Sequence, residues 1–298
     1  MGMLDGKVGI ITGAGRGLGR SHALLMASEG ASVVVNDLGG EWDGAGSDDR
    51  AASETAADIV GMGANAVANF DDVADWEGAQ NMINQAVETY GRLDFLVCNA
   101  GFVRDRIVFN MSEAEWDSVV RVHLKGHFVP TRWAAAYWRE QSKLNGEPVT
   151  ASIVYTASEA GLFGNPGQPN YAAAKAGIAG LGITVARELK RYGVRVNTIN
   201  PRARTRMTVN TFGADQLTAN EGDFDVNDPD NVSPWVAYLC TDDAADITGE
   251  TFVCGGDQVQ LMQGWKRENR IRKSKDRWTV AELAAAKAEL FSTRTSDE

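Results

Sequence analysis

The stretch VGIITGAGRGLGRSHALLMASEG, residues 8–30, decides the fold. Its first five residues are apolar or small and include β-branched side chains, a strand pattern. Further along, Leu18, His22, Leu25 and Met26 recur at helical spacing. Between the two lies TGAGRGLG (12–19). Its Gly13, Gly17 and Gly19 allow a tight turn and close approach to a ligand. A strand, a glycine loop and a helix in that order present free N–H groups and a positive dipole end to a pyrophosphate.

Outward from this loop the rhythm repeats. ASVVVND (31–37), ANAVANF (64–70), LDFLVCN (93–99), ASIVYTAS (151–158), VRVNTIN (194–200) and ETFVCG (250–255) read as six more strands, with helical segments between most of them. Strands separated by helices predict a parallel sheet covered on both faces, the doubly wound α/β class. Two regions break the rhythm: a Gly/Asp-rich loop at 38–50, and a polar, aperiodic stretch at 202–230 that suits a mobile lid. After Gly256 the alternation stops. The expected organisation is one domain, residues 1–262, and a basic, helical extension, 263–298, with Thr279 and Glu282 at capping-box spacing.

Composition narrows the partners. The net charge of −11 and pI near 4.9 argue against nucleic acid, whose phosphates an acidic surface repels. No apolar run approaches the roughly 18 residues of a membrane span, and the start of the chain does not read as a signal peptide. Cys98, Cys240 and Cys254 have no C-x-x-C spacing. A reducing, cytoplasmic setting is expected.

Asp37 ends the second strand, eighteen residues past Gly19. An acid there can accept hydrogen bonds from both ribose hydroxyls of NAD and repel the 2′-phosphate of NADP. Arg16 pulls weakly the other way, and NAD is the expected cofactor. YAAAK places Tyr171 and Lys175 on one helix face. A phenol with an ordinary pKa near 10 needs about 4 kcal/mol of preference for the phenolate to act as a base at neutral pH, and a nearby ammonium and a nicotinamide cation can supply that order of energy. Ser158 lies thirteen residues before Tyr171, at a strand end, where its hydroxyl can hold a substrate oxygen. His123 and His127, four apart in RVHLKGHF (121–128), raise the question of a metal. H-x-x-x-H without the acid of H-E-x-x-H makes a poor zinc site, and no metal is expected.

Together these residues resemble the short-chain dehydrogenase/reductase family. Its T-G-x-x-x-G-x-G loop matches Thr12 to Gly19, its N-A-G matches Asn99, Ala100 and Gly101, and its S…Y-x-x-x-K matches Ser158, Tyr171 and Lys175. Asp72 and Val73 match the family's adenine-contacting pair. The resemblance covers about 260 residues. It implies a Rossmann-type doubly wound sheet of about seven strands, order 3-2-1-4-5-6-7. It also implies a dinucleotide held by Gly13, Arg16, Gly17, Leu18, Gly19, Asp37, Asp72, Val73, Asn99, Ala100, Gly101, Tyr171 and Lys175. Tyr171 would be the general acid/base, Lys175 would lower its pKa, and Ser158 would orient the substrate. The family's dimer helices correspond to 111–140 and 170–192, which implies a homodimer or homotetramer.

The chain departs from the family pattern twice. Arg202 follows Pro201 where a glycine is usual, and His123 stands where an asparagine completes a tetrad. His123 would then support the helix backbone and a water leading to Lys175, with His127 a packed bystander. NAGFVRDR (99–106), RVHLKGHF, GNPGQPNYAAAK (164–175) and RTRMT (204–208) together are similar to the (3R)-hydroxyacyl-CoA dehydrogenase units of peroxisomal multifunctional enzymes, a group also described as 17β-hydroxysteroid dehydrogenases of type 4. That similarity implies oxidation of a (3R)-3-hydroxyacyl-CoA to the 3-oxoacyl-CoA. A hydroxysteroid or other secondary-alcohol dehydrogenase, a 3-oxoacyl reductase, or a non-catalytic NAD-binding module are the alternatives. Residues 266–277 hold seven Lys/Arg against two acids, and Arg104, Arg106 and Arg202 fall near site loops. Such cations can bind CoA phosphates, although a solvated charged surface is the simpler reading of the tail.

Overall fold

A computed structural model describes residues 2–212, 219, 222–274 and 276–292. The chain divides into two compact units, Met1–Met262 and Gln263–Glu298. In the first, strand and helix alternate: β1 (Val8–Thr12), α1 (Gly17–Ser28), β2 (Ser32–Asn36), α2 (Arg50–Gly61), β3 (Asn65–Asn69), α3 (Trp76–Tyr90) and β4 (Phe95–Cys98). Then come α4 (Glu113–Val120), a π-turn (Arg121–Lys125), α5 (Gly126–Asn145), β5 (Ala151–Thr156), α6 (Glu159–Phe163) and α7 (Pro169–Leu189). β6 (Val194–Pro201), α8 (Arg206–Phe212), α9 (Ser233–Leu239), β7 (Thr251–Gly255) and β8 (Gln258–Met262) complete it.

The sheet has eight strands in the order β3-β2-β1-β4-β5-β6-β7-β8, not the expected seven. β1 to β7 are parallel, and β8 runs antiparallel beside β7, with Thr251 opposite Met262 and Gly255 opposite Gln258. Gln258 to Leu261 are all exposed, so this edge strand buries no face that would mark it in the sequence. β1, β4 and β5 are buried along their whole length, as strands covered on both faces must be. Two apolar clusters do the covering. One packs Ala23, Met26, Ile59, Val236 and Leu239 against Ile11, Val33 and Val35. The other packs Met82, Ile83, Trp138, Ile178 and Val185 against Ile10, Leu96 and Ile153.

Local chemistry sets where several helices begin. Asp75 caps α3 by accepting from Gly78 N at 2.8 Å, and a reciprocal capping box of Ser112 and Glu115 opens α4. Pro169 starts α7, where its missing N–H costs nothing. Arg195, on β6, is buried and donates to the carbonyls of Leu239, Thr241 and Ala244 at 2.7, 2.8 and 3.0 Å. It thereby satisfies acceptors at and just beyond the end of α9.

The 202–230 segment is not wholly irregular, since it holds α8. Its residues 213–218, 220 and 221 lie outside the described residues, and the lid expectation rests partly on them. Asn227 O accepts from Arg204 N, and Asn231 Nδ2 donates to Asp225 O at 2.8 Å. In the second unit Thr279 and Glu282 form the expected capping box for α10 (Val280–Leu290), and Lys273 donates to both Glu282 oxygens at 2.7 Å. Among the described residues no helix is long and apolar enough to cross a membrane.

Candidate active site

A cleft of about 520 Å³ opens at the carboxyl ends of the parallel strands. It is lined by Gly13, Arg16, Gly17, Leu18, Asp37, Asp72, Val73, Asn99, Ala100 and Gly101 at one end, and by His123, Ser158, Tyr171 and Lys175 at the other. Gly19, the one candidate residue outside the lining, sits behind the loop. A Cβ there would collide with the Gly13 carbonyl oxygen, so only glycine lets α1 come this close to the end of β1. The cap position Arg16 makes no side-chain hydrogen bond to α1, and its first N–H groups face the cleft side. Asn99 Nδ2 donates to the Thr12 and Gly13 carbonyls, and Thr12 Oγ1 accepts from Asn99 N at 2.9 Å and Ala100 N at 3.1 Å, locking the glycine loop to the end of β4.

The carboxylate of Asp37 is fixed on both sides. Oδ2 accepts from Gly15 N at 2.8 Å and Oδ1 from Gly39 N at 2.7 Å, and each oxygen keeps a lone pair for a further donor. Arg16 lies 4.0 Å from Glu41 and 3.8 Å from Asp48. Asp72 pairs with Arg121 at 2.7 Å and accepts from Ala74 N at 2.8 Å. The uncapped helix start, the close-packed loop and an acid at the end of β2 fit a dinucleotide.

At the other end, Ser158 is the N-cap of α6, accepting from Ala160 N at 3.2 Å, and it also hydrogen-bonds Tyr171. Lys175 is buried, its Nζ donating to Thr156 O at 2.6 Å and lying 5.4 Å from the centre of the Tyr171 ring. Desolvation pushes the Tyr171 phenol up to about 12, against the Ser158 hydrogen bond, and the Asp105 charge adds to the rise. Desolvation also pulls the Lys175 ammonium down to about 7. The sequence predicts a lowered tyrosine; in the protein alone burial outweighs the lysine, and both groups favour their neutral forms. Asn170, fully buried before Tyr171, donates to the carbonyls of Arg104 and Glu115 at 3.0 Å and accepts from Tyr171 N at 2.7 Å.

His123 lies on the π-turn, with its ring edge-on to Tyr171, centroids 5.1 Å apart and planes at 89°. Its Nε2 is 2.7 Å from Phe102 O and 3.2 Å from Phe102 N, and the shorter contact favours hydrogen on Nε2. Burial, reinforced by the Lys175 charge, holds the imidazole neutral, its pKa well below the usual value. The ring occupies the space a Cβ on Gly101 would need, so the third residue of N-A-G must be glycine. His127 is also buried and neutral, pushed to about 3, and its ring packs against Tyr155. Among the described residues no three His, Cys, Asp or Glu side chains gather as a metal would require.

Some lining residues carry no sequence signal. Trp42 sits in the glycine-rich loop, and Phe102 follows N-A-G. The loop is fastened across the cleft wall: Trp42 O accepts from Val103 N at 3.3 Å and Asp43 O from Arg104 Nε at 2.9 Å. The length of the 38–50 loop hints at such a role, but nothing in it singles out Trp42.

The profile of the family described as short chain dehydrogenase matches residues 7–216. The chain belongs to that family. It is therefore an oxidoreductase that uses a nicotinamide dinucleotide. It is 44% identical over 296 residues to hydroxyacyl-CoA dehydrogenase ChsB1 of Mycobacterium tuberculosis, covering 99% of this chain and 92% of the relative. It is 40% identical over 263 residues to peroxisomal multifunctional enzyme type 2 of mouse, covering 88% of this chain and 33% of that larger protein. A short chain dehydrogenase from Mycobacterium avium has the same fold, with a TM-score of 0.87, 48% identity, and coverage of 99% of this chain and 97% of that one.

Proposed function

We propose that the protein oxidises a (3R)-3-hydroxyacyl-CoA to the 3-oxoacyl-CoA with NAD as acceptor. The observation that carries the reading is the meeting of Ser158, Tyr171 and Lys175 at one end of a cleft whose other end suits a dinucleotide. The names of the Mycobacterium tuberculosis and mouse relatives support the acyl-CoA class.

The bound nicotinamide accepts the hydride from the carbinol carbon. Tyr171 Oη takes the hydroxyl proton, and Ser158 Oγ donates a hydrogen bond to the substrate oxygen as it becomes a carbonyl. Protonated Lys175, held by Thr156 O, stabilises the phenolate form of Tyr171. The high phenol pKa of the protein alone means that Tyr171 becomes a base only once positive charge has been brought into the site. His123 buttresses the segment after β4 through Phe102 O, and its Nδ1, a buried atom with no protein partner, suits a water near Lys175.

The anchored Asp37 carboxylate supports NAD over NADP. Two ribose hydroxyls can donate to it, whereas a 2′-phosphate would meet its charge. Arg16 is already engaged by Glu41 and Asp48.

The test is turnover of matched (3R)- and (3S)-3-hydroxyacyl-CoA and of a free secondary alcohol, with each cofactor. NAD-dependent oxidation of the (3R)-thioester is expected, with loss of at least about 100-fold in Tyr171→Phe while NAD still binds. An inert thioester beside an active free alcohol overturns the substrate, NADP preference overturns the cofactor, and an active Tyr171→Phe overturns the mechanism.

A further inference from the structure

We propose that Arg202 and Glu159 form a positioning pair that fixes the Ser158 hydroxyl over the reacting centre. The inference goes beyond the proposed function and rests on it for the role of Ser158. Arg202 follows the last residue of β6, and Glu159 follows Ser158 as the first residue of α6. β5 and β6 are parallel neighbours, so the two loops leave the sheet side by side. Arg202 Nε donates to Glu159 Oε2 and Nη2 to Oε1, each at 2.7 Å, a two-pronged fork. The arginine is rooted at its own backbone, since Arg202 N donates to Cys254 O at 2.8 Å. Glu159 is thereby tied through Arg202 to β7.

The segment that bears Ser158 needs such a tie. α6 is five residues long, too short to hold its own place. Its cap bond, Ala160 N to Ser158 Oγ, is long at 3.2 Å, and the same hydroxyl must serve Tyr171 and substrate. α7 supports one side, where Gly161 lies against the backbone of Lys175 and Ala176. The ion pair supports the other. Both partners are partly exposed, with side chains 57% and 31% accessible, so the pair contributes little to global stability. A planar fork does restrict direction, which a single ammonium would not. Ser158 and Pro201 line the cleft, but neither member of the pair does, so Arg202 and Glu159 act through Ser158 and not on the substrate.

Arg202→Gln, Glu159→Gln and the exchange Arg202→Glu with Glu159→Arg test this in the full chain. Three quantities are read: kcat/KM for the hydroxyacyl substrate, Kd for the cofactor, and the unfolding midpoint. Each single variant is expected to lose about tenfold in kcat/KM, mostly in kcat, with cofactor Kd within about twofold and an unchanged midpoint. The exchange is expected to recover most of the loss. Wild-type kcat/KM in the single variants, an exchange no better than either, or a parallel fall in cofactor affinity overturns the pair's role. Ser158→Ala separates the two levels. If it is fully active, the reading of the site itself fails. If it is inactive while Arg202→Gln behaves as wild type, only the positioning pair fails.

Discussion

His123 Nε2 and the carbonyl of Phe102 are 2.7 Å apart, and that contact separates two substitutions. Asparagine can still donate to the carbonyl. Leucine leaves it buried and unpaired, at a cost of about 1–3 kcal/mol that falls on the segment facing the site. His123→Asn should stay within a few-fold of wild-type kcat, and His123→Leu should lose tenfold or more; equal rates would remove the hydrogen bond from the account. Lys175 gives a second prediction. Its ammonium falls from 10.5 to about 7 on burial, so between those pH values the unfolded chain binds the proton and the fold releases it. The cost of burying Lys175 is therefore full below pH 7 and shrinks as pH rises towards 10.5. In unfolding midpoints without cofactor, wild type should gain on Lys175→Met from pH 7 to 10; a constant difference would refute the shift. The residues of this site were legible because glycine loops and Y-x-x-x-K act through short spacings. The direction of the Tyr171 shift was not, because burial depends on what the rest of the chain places over the ring.

Among the elements, β6 and α9 depend on one buried guanidinium. Arg195 holds three carbonyls at and beyond the end of α9, and replacing it with leucine leaves them without a donor. Arg195→Leu should lower unfolding free energy by about 2–4 kcal/mol, and lysine, lacking the fork, should restore only part of it. Denaturant titration decides; a loss under about 1 kcal/mol would mean that water replaces the bonds. The seven parallel strands could be read from sequence because buried strands are continuous apolar runs. β8 could not, because a strand exposed on both faces has no apolar period. α8 was also missed, lying in a segment whose polar residues resemble a loop.

For the whole molecule, the expectation is self-association. Trp116 on α4 and Phe128 on α5 are 41% and 44% exposed, on the helices that the family resemblance assigns to a dimer. Large aromatic side chains left in water mark protein contacts more often than chance. Sedimentation equilibrium should give a mass of two or four chains of 32.0 kDa, and a mass of one chain would dismiss the interface. Whether the count is two or four is not written in either helix, because it depends on a second surface.

The π-turn at Arg121–Lys125 bears on how this chain can change in length. A π-turn amounts to a helix carrying one extra residue. Removing one residue there would let α4 and α5 join as regular helix and would turn everything after it by about 100° relative to what precedes it. His127, Val129 and Trp138 would leave the interior together, and Phe128 and its exposed neighbours would be driven towards it. An insertion upstream could be absorbed by the loop before Ser112, but not one inside the turn. Along this helix the reading frame is held more tightly than most of the letters in it.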